Sequence, residues 1–308
     1  MRVFVTGATG FIGSAIVNEL MEAGHQVLGL ARSDASAASL EAKGVAVQRG
    51  TLEDLESLKR GAQASDGVIH AGYNHDWLYA ADGDFFTLFM AAAETDRRAI
   101  EAMGTALAGS DRPLIITSGL LGLAPGRVGT EDDAGDPASP RNASEVLVLA
   151  MAASGVRTSV VRLPPSVHGD GDHGFVPGLI GIARAKGASG YVADGSNRWP
   201  AVHRLDAAVL YRLALEKATA GSRLHGSAEE GVPFRDIATG IGKQLNLPVV
   251  SVASDEAEEH FGRMGRFVAM DAPNSSRLTR EQLGWNPTQR TLLQDLEQGI
   301  YFEQQVNA

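Results

Sequence analysis

MRVFVTGATGFIG, Met1–Gly13, decides the fold of this chain. Arg2–Thr6 is a short apolar run of the kind that forms a buried strand. Gly7, Gly10 and Gly13 follow as G-x-x-G-x-x-G, and an amphipathic pattern then begins with Ile12, Ala15, Ile16, Leu20 and Met21 on one face. Strand, tight turn and helix in that order open a nucleotide-binding βαβ unit. Gly7 can adopt the turn's backbone angles, Gly10 lets main chain approach a diphosphate, and Gly13 lets the helix lie close to the strand. A diphosphate then meets unpaired N–H groups at the positive end of the helix dipole.

The 308 residues suffice for one large α/β domain or two unequal lobes. An apolar content of 44% supports a sizeable core, and a net charge of −10 argues against a nucleic-acid or anionic-membrane surface. With no cysteine there is no disulfide, thiol nucleophile or thiolate metal site. No apolar run reaches the roughly 18 residues of a membrane span. The chain opens on a core strand with no signal-peptide pattern ahead of it. The expectation is a soluble, cytoplasmic protein acting on a small molecule.

The stretch VTGATGFIGS, residues 5–14, resembles the opening of the extended short-chain dehydrogenase/reductases, which include the NAD-dependent epimerases and dehydratases. The resemblance implies an α/β fold, a Rossmann-type doubly wound parallel sheet with a smaller C-terminal substrate-binding lobe. It assigns residues 1–165 and about 204–228 to the NADP-binding domain, and about 166–203 and 229–308 to the lobe. Thr6, Gly7, Gly10, Phe11, Ile12 and Gly13 become the first expected cofactor contacts.

Further matches follow along the chain. His25–Ala31 reads as the second strand, and Val45–Arg49 as the third. Where relatives usually place an acidic residue on the adenosine ribose, this chain has Ala31, Arg32 and Ser33. A cation and a hydroxyl suit a 2′-phosphate, so NADP is expected over NAD. Asp34 as a displaced ribose partner, or Arg32 as a solvated loop residue, are the alternatives. Gly50-Thr51-Leu52 stands where the family often has Gly-Asp, which puts the acidic adenine contact in doubt. Asp66–Gly72 resembles D-x-V-I-H-x-A, with Ala71 and Gly72 passing the diphosphate and His70 read as a strand-packing histidine. Tyr73–Tyr79, at the carboxyl end of that strand, is either a pocket wall or lid, or a surface loop.

Phe85–Leu107 has the pattern of a long helix with more apolar side chains than one core-facing stripe needs. The family places this helix in a dimer bundle, so a homodimer is expected through it and the helix over 140–154. Asp96 stands where many relatives carry an active-site Asn. Pro113–Thr117 reads as the fifth strand, and Thr117-Ser118-Gly119 resembles the family's serine motif. Ser118, in preference to Thr117, is expected to hydrogen-bond a substrate carbonyl or hydroxyl. Glu131-Asp-Asp133 reads as solvated surface. Ser139 and Pro140 read as the N-cap and first residue of a helix, and Val156–Arg162 as the sixth strand. Leu163–Gly169 resembles R-P-x-x-V-Y-G, which lines the nicotinamide in relatives. Pro164 and Val167 are the expected contacts, and His168 stands where Tyr is usual.

The loop GDGDHG, 169–174, lacks the spacing and closing Glu of a calcium loop, so no metal is expected. Trp199–Asp206 resembles F-V-H-V-D-D, with Asp206 expected to cap a helix over 207–218. A strand over 224–228 should return to the large sheet. Helices are expected over 232–245, near 276–285 and over 292–304.

One family motif is absent. Relatives carry Tyr-x-x-x-Lys on the helix after the fifth strand, with both side chains on one face. Counting back from Arg162, with Glu145 as the family's glutamate, puts the pair at Pro137 and Arg141. Proline transfers no proton, and Arg141 can hold a ribose but keeps its own proton. With Asp96 in place of Asn, the pattern resembles an atypical subgroup that retains the cofactor motif and lacks the Tyr–Lys pair. The catalytic candidates are Ser118, Asp96, Arg141 and His168, with His168, His173, Tyr73 and His75 as possible proton donors. The expected function is an NAD(P)-dependent oxidoreductase acting on a carbonyl or secondary alcohol of a small molecule. The alternatives are an NADP-binding sensor or scaffold without turnover, and a nucleotide-sugar epimerase or dehydratase. The last would draw a diphosphate clamp from Arg184, Lys186, Arg198 or Arg204.

Overall fold

The computed structural model describes residues 1–79, 84–136 and 138–302. The position matched to the family's tyrosine, Pro137, lies outside the described residues. The helix expected over 292–304 is shorter and ends at Glu297, with Gln298 as its C-cap. In chain order the strands are β1 (Arg2–Thr6), β2 (Gln26–Ala31), β3 (Ala46–Arg49), β4 (Gly67–His70), β5 (Pro113–Gly119), β6 (Arg157–Leu163), β7 (Ser166–His168), β8 (Ser189–Val192), β9 (Arg198–His203), β10 (Ser222–His225), β11 (Glu229–Pro233) and β12 (Val249–Val252). The helices are α1 (Phe11–Glu22), α2 (Asp34–Glu41), α3 (Leu55–Gln63), α4 (Asp76–Tyr79), α5 (Phe85–Leu107), α6 (Pro140–Ala150), α7 (Phe175–Lys186), α8 (Arg204–Lys217), α9 (Phe234–Leu245), α10 (Ala257–Phe261), α11 (Gly265–Val268), α12 (Arg277–Leu283) and α13 (Leu292–Glu297).

Seven strands form one parallel sheet in the order β10-β6-β5-β4-β1-β2-β3. This is the Rossmann-type doubly wound arrangement, and its order reverses between β1 and β4, where open α/β sheets bind ligands. Parallel strands carry helices on both faces and are apolar throughout. On one face Ile16 and Leu20 of α1 meet Leu210, Tyr211 and Leu215 of α8. On the other, Leu58 of α3, Ile100 and Met103 of α5 and Val148 of α6 close over Phe4 and Leu114. Each such fully buried side chain contributes roughly 1.5–3 kcal/mol.

After β6 the chain turns through Pro164 and Pro165 into a smaller assembly. There β7 pairs with β9 in parallel and β9 with β11 antiparallel, while β8 and β12 form a parallel pair. Trp199, Phe234, Ile237, Leu292 and Leu296 are central to its core. Trp77 and Ala92 join that core, so α4 and the first half of α5 lean on the smaller assembly. Helix α8 and strand β10 then return to the large sheet.

Buried ion pairs fix the register of α6. Glu145 is chelated by Arg162 of β6, and Arg223 Nε donates to Glu145 Oε1 at 2.9 Å. This pair locks α6 against β6, one helical turn beyond Arg141.

Two readings of acidic residues are corrected. Glu131 is not solvated: it is buried, and its Oε1 accepts from the Thr279 N–H and hydroxyl, both at 2.7 Å. Its neighbour Asp133 pairs with Arg127. Asp206 does not cap α8, because its helix begins two residues earlier with His203 as the N-cap. The Asp206 carboxylate instead accepts from the Thr288 and Gln289 N–H groups, both at 3.0 Å, and its carbonyl accepts from Trp285 Nε1. It therefore anchors the C-terminal chain.

Candidate functional site

The glycine loop is as tight as its spacing requires. Gly7 has φ +67°, and a Cβ there would come within 2.7–2.9 Å of the Gly72 and Ala71 backbone. Gly10 precedes α1 without any side-chain cap, so the first-turn N–H groups of the helix are left for an anion. A Cβ on Gly10 would meet only Gly7 O, at 3.2 Å, so its outer side is open. Phe11 and Ile12 are half-buried behind it.

A buried polar chain runs from this loop into the sheet. Thr6 Oγ1 accepts from the Gly72 N–H at 3.1 Å and lies 2.7 Å from His70 Nδ1. His70 Nε2 lies 3.2 Å from Asp96 Oδ1. The carboxylate only accepts, so Nε2 carries a hydrogen. Ser144 Oγ donates to Asp96 Oδ2 at 2.7 Å, and Arg141 Nη1 lies 3.5 Å from the same oxygen. Burial opposes charge on Asp96, but the His70 bond, Arg141 and Ser144 outweigh it and hold the carboxyl below its ordinary value. His70 therefore packs in its strand and also links Thr6 to Asp96.

Arg141 connects this chain to the end of β5. Its Nη2 donates to Thr117 O at 3.0 Å, and its guanidinium lies 3.9 Å from the centroid of the Tyr73 ring. Thr117 Oγ1 donates to His70 O at 3.0 Å and contacts the Tyr211 hydroxyl at 2.6 Å, so it is committed to the structure. Ser118 Oγ next to it is enclosed with no hydrogen-bond partner, and the Tyr73 hydroxyl is enclosed with the Arg141 guanidinium as its polar neighbour. Buried polar atoms without partners are uncommon and mark places where a ligand can complete the bonding.

At the adenosine end Arg32 is exposed, and no side-chain partner engages it among the described residues. Ser33 is the N-cap of α2, accepting from the Ser36 N–H at 3.1 Å. Its hydroxyl also lies 2.9 Å from the Ser36 hydroxyl. Asp34 pairs with Arg49 at 2.8 Å.

The Leu163–Gly169 segment crosses between the two assemblies. Pro164 is buried and Val167 packs on the large core. His168 is enclosed, its Nδ1 2.6 Å from Asp295 Oδ2, with the His203 ring edge-on at 5.4 Å between centroids. Those contacts place it in a buried cluster with α13, while Ser118 and Arg141 gather at β5. His173 touches Phe11, with ring centroids 5.9 Å apart, and Arg204 lies over the same ring at 5.1 Å. His75 sits against Tyr73, 4.9 Å between centroids. Loss of hydration, with repulsion from Arg141 and His173, lowers His75 to about 4.

With this geometry in place, comparison with known proteins is informative. The sequence model of the NAD dependent epimerase/dehydratase family matches residues 3–225. The chain belongs to that family. Among relatives of this epimerase/dehydratase-family chain, an uncharacterized protein of Schizosaccharomyces pombe is 52% identical over 98% of this chain and 100% of its own length. A 2-alkyl-3-oxoalkanoate reductase of Stenotrophomonas maltophilia is 28% identical over 82% of this chain and 78% of its own. The crystal structure of a Streptomyces venezuelae dTDP-glucose 4,6-dehydratase, with NAD bound, shares the fold. Its TM-score is 0.76 at 20% identity, covering 99% of this chain and 98% of that one.

Three features of this family member were not legible in its sequence. The Thr6–His70–Asp96 chain joins residues up to 90 positions apart. Arg49 reaches Asp34 across adjacent strands and adds a second cation near Arg32. The stacking of Arg141 on Tyr73 joins two segments whose only shared signal is their position at the carboxyl ends of β4 and β5.

Proposed function

We propose that the chain is an NADP-dependent oxidoreductase that interconverts a carbonyl and a secondary alcohol on a small molecule. The observation that carries this reading is the enclosed, unpaired Ser118 hydroxyl, one residue beyond the carbonyl that holds Arg141. An unsatisfied buried hydroxyl costs roughly 1–3 kcal/mol, a penalty that a bound carbonyl oxygen removes.

The residues present fit a nicotinamide dinucleotide. The open side of Gly10 and the uncapped start of α1 suit its diphosphate, with Thr6, Gly7 and Gly13 shaping the loop and Ala71 and Gly72 leaving room. Arg141 would hold the nicotinamide ribose, and Pro164 and Val167 would flank the ring. Arg32 and the Ser33 hydroxyl favour a 2′-phosphate, with Arg49 nearby. When bound, the cofactor supplies or accepts a hydride. Ser118 donates a hydrogen bond to the substrate oxygen, where negative charge grows during reduction. Asp96, held by His70 and Ser144, fixes Arg141.

The relatives include both a reductase and a UDP-glucose 4-epimerase, each 28% identical, so the preference over a nucleotide-sugar epimerase rests on the clamp residues. Of the proposed clamp residues, Arg198 is bound to Asp271, and Lys186 donates to Glu259 O. No helix among the described residues is long and apolar enough to cross a membrane. The exposed Phe86 and Met90 of α5 and Val146 of α6 suit a homodimer.

The test is NADPH oxidation at 340 nm across a panel of ketones and aldehydes, beside cofactor binding by fluorescence. Turnover that falls about a hundredfold in Ser118→Ala supports the reading. Tight NADP binding without turnover on any member, in either direction, would replace it with the sensor.

A further inference from the structure

We propose that Tyr73 is the proton donor of this site, acting from the loop after β4 in place of the tyrosine the family carries on α6. The assignment rests on the oxidoreductase reading above.

Tyr73 follows β4 by three residues, directly after the Ala71-Gly72 pair that presses on Gly7. Gly72 is tied to Thr6 by its N–H, so the backbone carrying Tyr73 is fixed where the sheet order reverses. The side chain therefore leaves the carboxyl end of β4, next to the end of β5 that presents Ser118.

The partner is the second observation. The family resemblance puts a lysine at the position of Arg141, where its charge would assist a tyrosine one helical turn away. Here that cation is turned onto the face of Tyr73 at 3.9 Å, an attractive cation–π contact. Arg141 is held for this task from two sides, by Thr117 O and by Asp96. A guanidinium keeps its charge at any working pH, so it stabilises a phenolate without itself supplying a proton.

The third observation is the pair of enclosed hydroxyls. Ser118 Oγ is enclosed without a hydrogen-bond partner, and the Tyr73 hydroxyl is enclosed with the Arg141 guanidinium as its polar neighbour. A substrate oxygen bound between the two hydroxyls would satisfy both. Burial raises the Tyr73 phenol above its ordinary value, Arg141 opposes that rise, and Asp96 adds to it. The group is a fully protonated acid near neutral pH.

The other candidates are less suited. His168 is closed into the Asp295 cluster, and His75 is an exposed side chain whose proton is held less tightly than an ordinary histidine's. His173 stands against Phe11, at the diphosphate end of α1.

In the reductive direction a bound reduced dinucleotide would supply a hydride to the carbonyl carbon and would leave oxidised. The carbonyl π bond opens onto oxygen, and that oxygen takes the Tyr73 hydroxyl proton to give the alcohol. The Tyr73 phenolate, facing Arg141, recovers a proton from water.

The experiment has two arms. In the first, Tyr73→Phe keeps the ring and its stack, and NADPH affinity by fluorescence should stay within about twofold. Its kcat should fall by about a hundredfold or more, the scale of general-acid catalysis. In the second, the cofactor-free chain is titrated by ultraviolet difference absorption at high pH, with Tyr73→Phe as the reference. The groups facing the phenol are Arg141 on α6, Asp96 on α5 and His75 on its own loop. Arg141→Gln should move the Tyr73 titration to higher pH, Asp96→Asn to lower pH, and Arg141→Lys should restore much of the Arg141 effect. Turnover that survives Tyr73→Phe, or a Tyr73 titration indifferent to Arg141, overturns the assignment. Absence of turnover in the unmutated chain overturns the oxidoreductase reading and this assignment together.

Discussion

The β-carbon that Gly13 lacks would fall 1.9 Å from the carbonyl oxygen of Gly7. That oxygen is backbone and accepts the Gly10 N–H at 2.9 Å, so it cannot move without dissolving the turn. Gly13→Ala should destabilise the fold by more than the roughly 1–3 kcal/mol of ordinary overpacking. A thermal melt and a cofactor titration read both losses; unchanged values for both would contradict the geometry.

Arg32 has no partner among the described residues, so its removal leaves the fold intact. Arg32→Ala should weaken NADP binding by about ten- to a hundredfold, the worth of a charge-assisted hydrogen bond. NAD binding should stay level. Equal dissociation constants for the two cofactors in the unmutated chain would remove the basis for NADP preference.

Glu145 and Arg162 are both buried. Glu145→Ala strands the Arg162 guanidinium in the interior and should cost about 3–5 kcal/mol in urea unfolding. Adding Arg162→Met should recover part of the loss, because the stranded charge is then gone. A double variant no more stable than Glu145→Ala would show that the pair is not the source.

Phe86, Met90 and Val146 are 61%, 42% and 53% exposed on α5 and α6. Light scattering at micromolar concentration should give twice the chain mass of 32.3 kDa. Phe86→Glu with Val146→Glu should reduce it to a single chain. A single-chain mass for the unmutated protein would refute the dimer.

Burial pushes the Asp172 carboxyl up from 3.8 to about 6. Ionising it is harder in the folded chain than in the unfolded one. Its contribution is therefore fully present below the unfolded value and is lost as pH rises through about 6. The stability of Asp172→Asn relative to the unmutated chain should rise between pH 4 and 6 and level off above. A difference that is flat across that range would show that Asp172 titrates normally.

What the sequence disclosed was local. The period of Phe85–Leu107 marked the bounds of α5, and the glycine spacing at 7, 10 and 13 marked the first turn. What it concealed was distant pairing. Glu131 looks solvated because its partner, Thr279, lies 148 residues away. Asp206 sits where a cap is expected, yet it serves the C-terminal chain. Strands β7 and β11 are too short for a periodicity to show. At the candidate site the separate residues were visible, but the turn of Arg141 onto Tyr73 depends on packing between α6 and the β4 loop.

The polar chain from Thr6 through His70 to Asp96 bears on how such a protein can be altered. Arg32 stands outside that chain, so under the proposed reading cofactor choice would be a detachable trait that one substitution rewrites. Thr6 belongs to both the diphosphate loop and the wiring behind Arg141. A change there would be felt at the seat and at the chemistry together, which leaves position 6 far less room to vary than position 32.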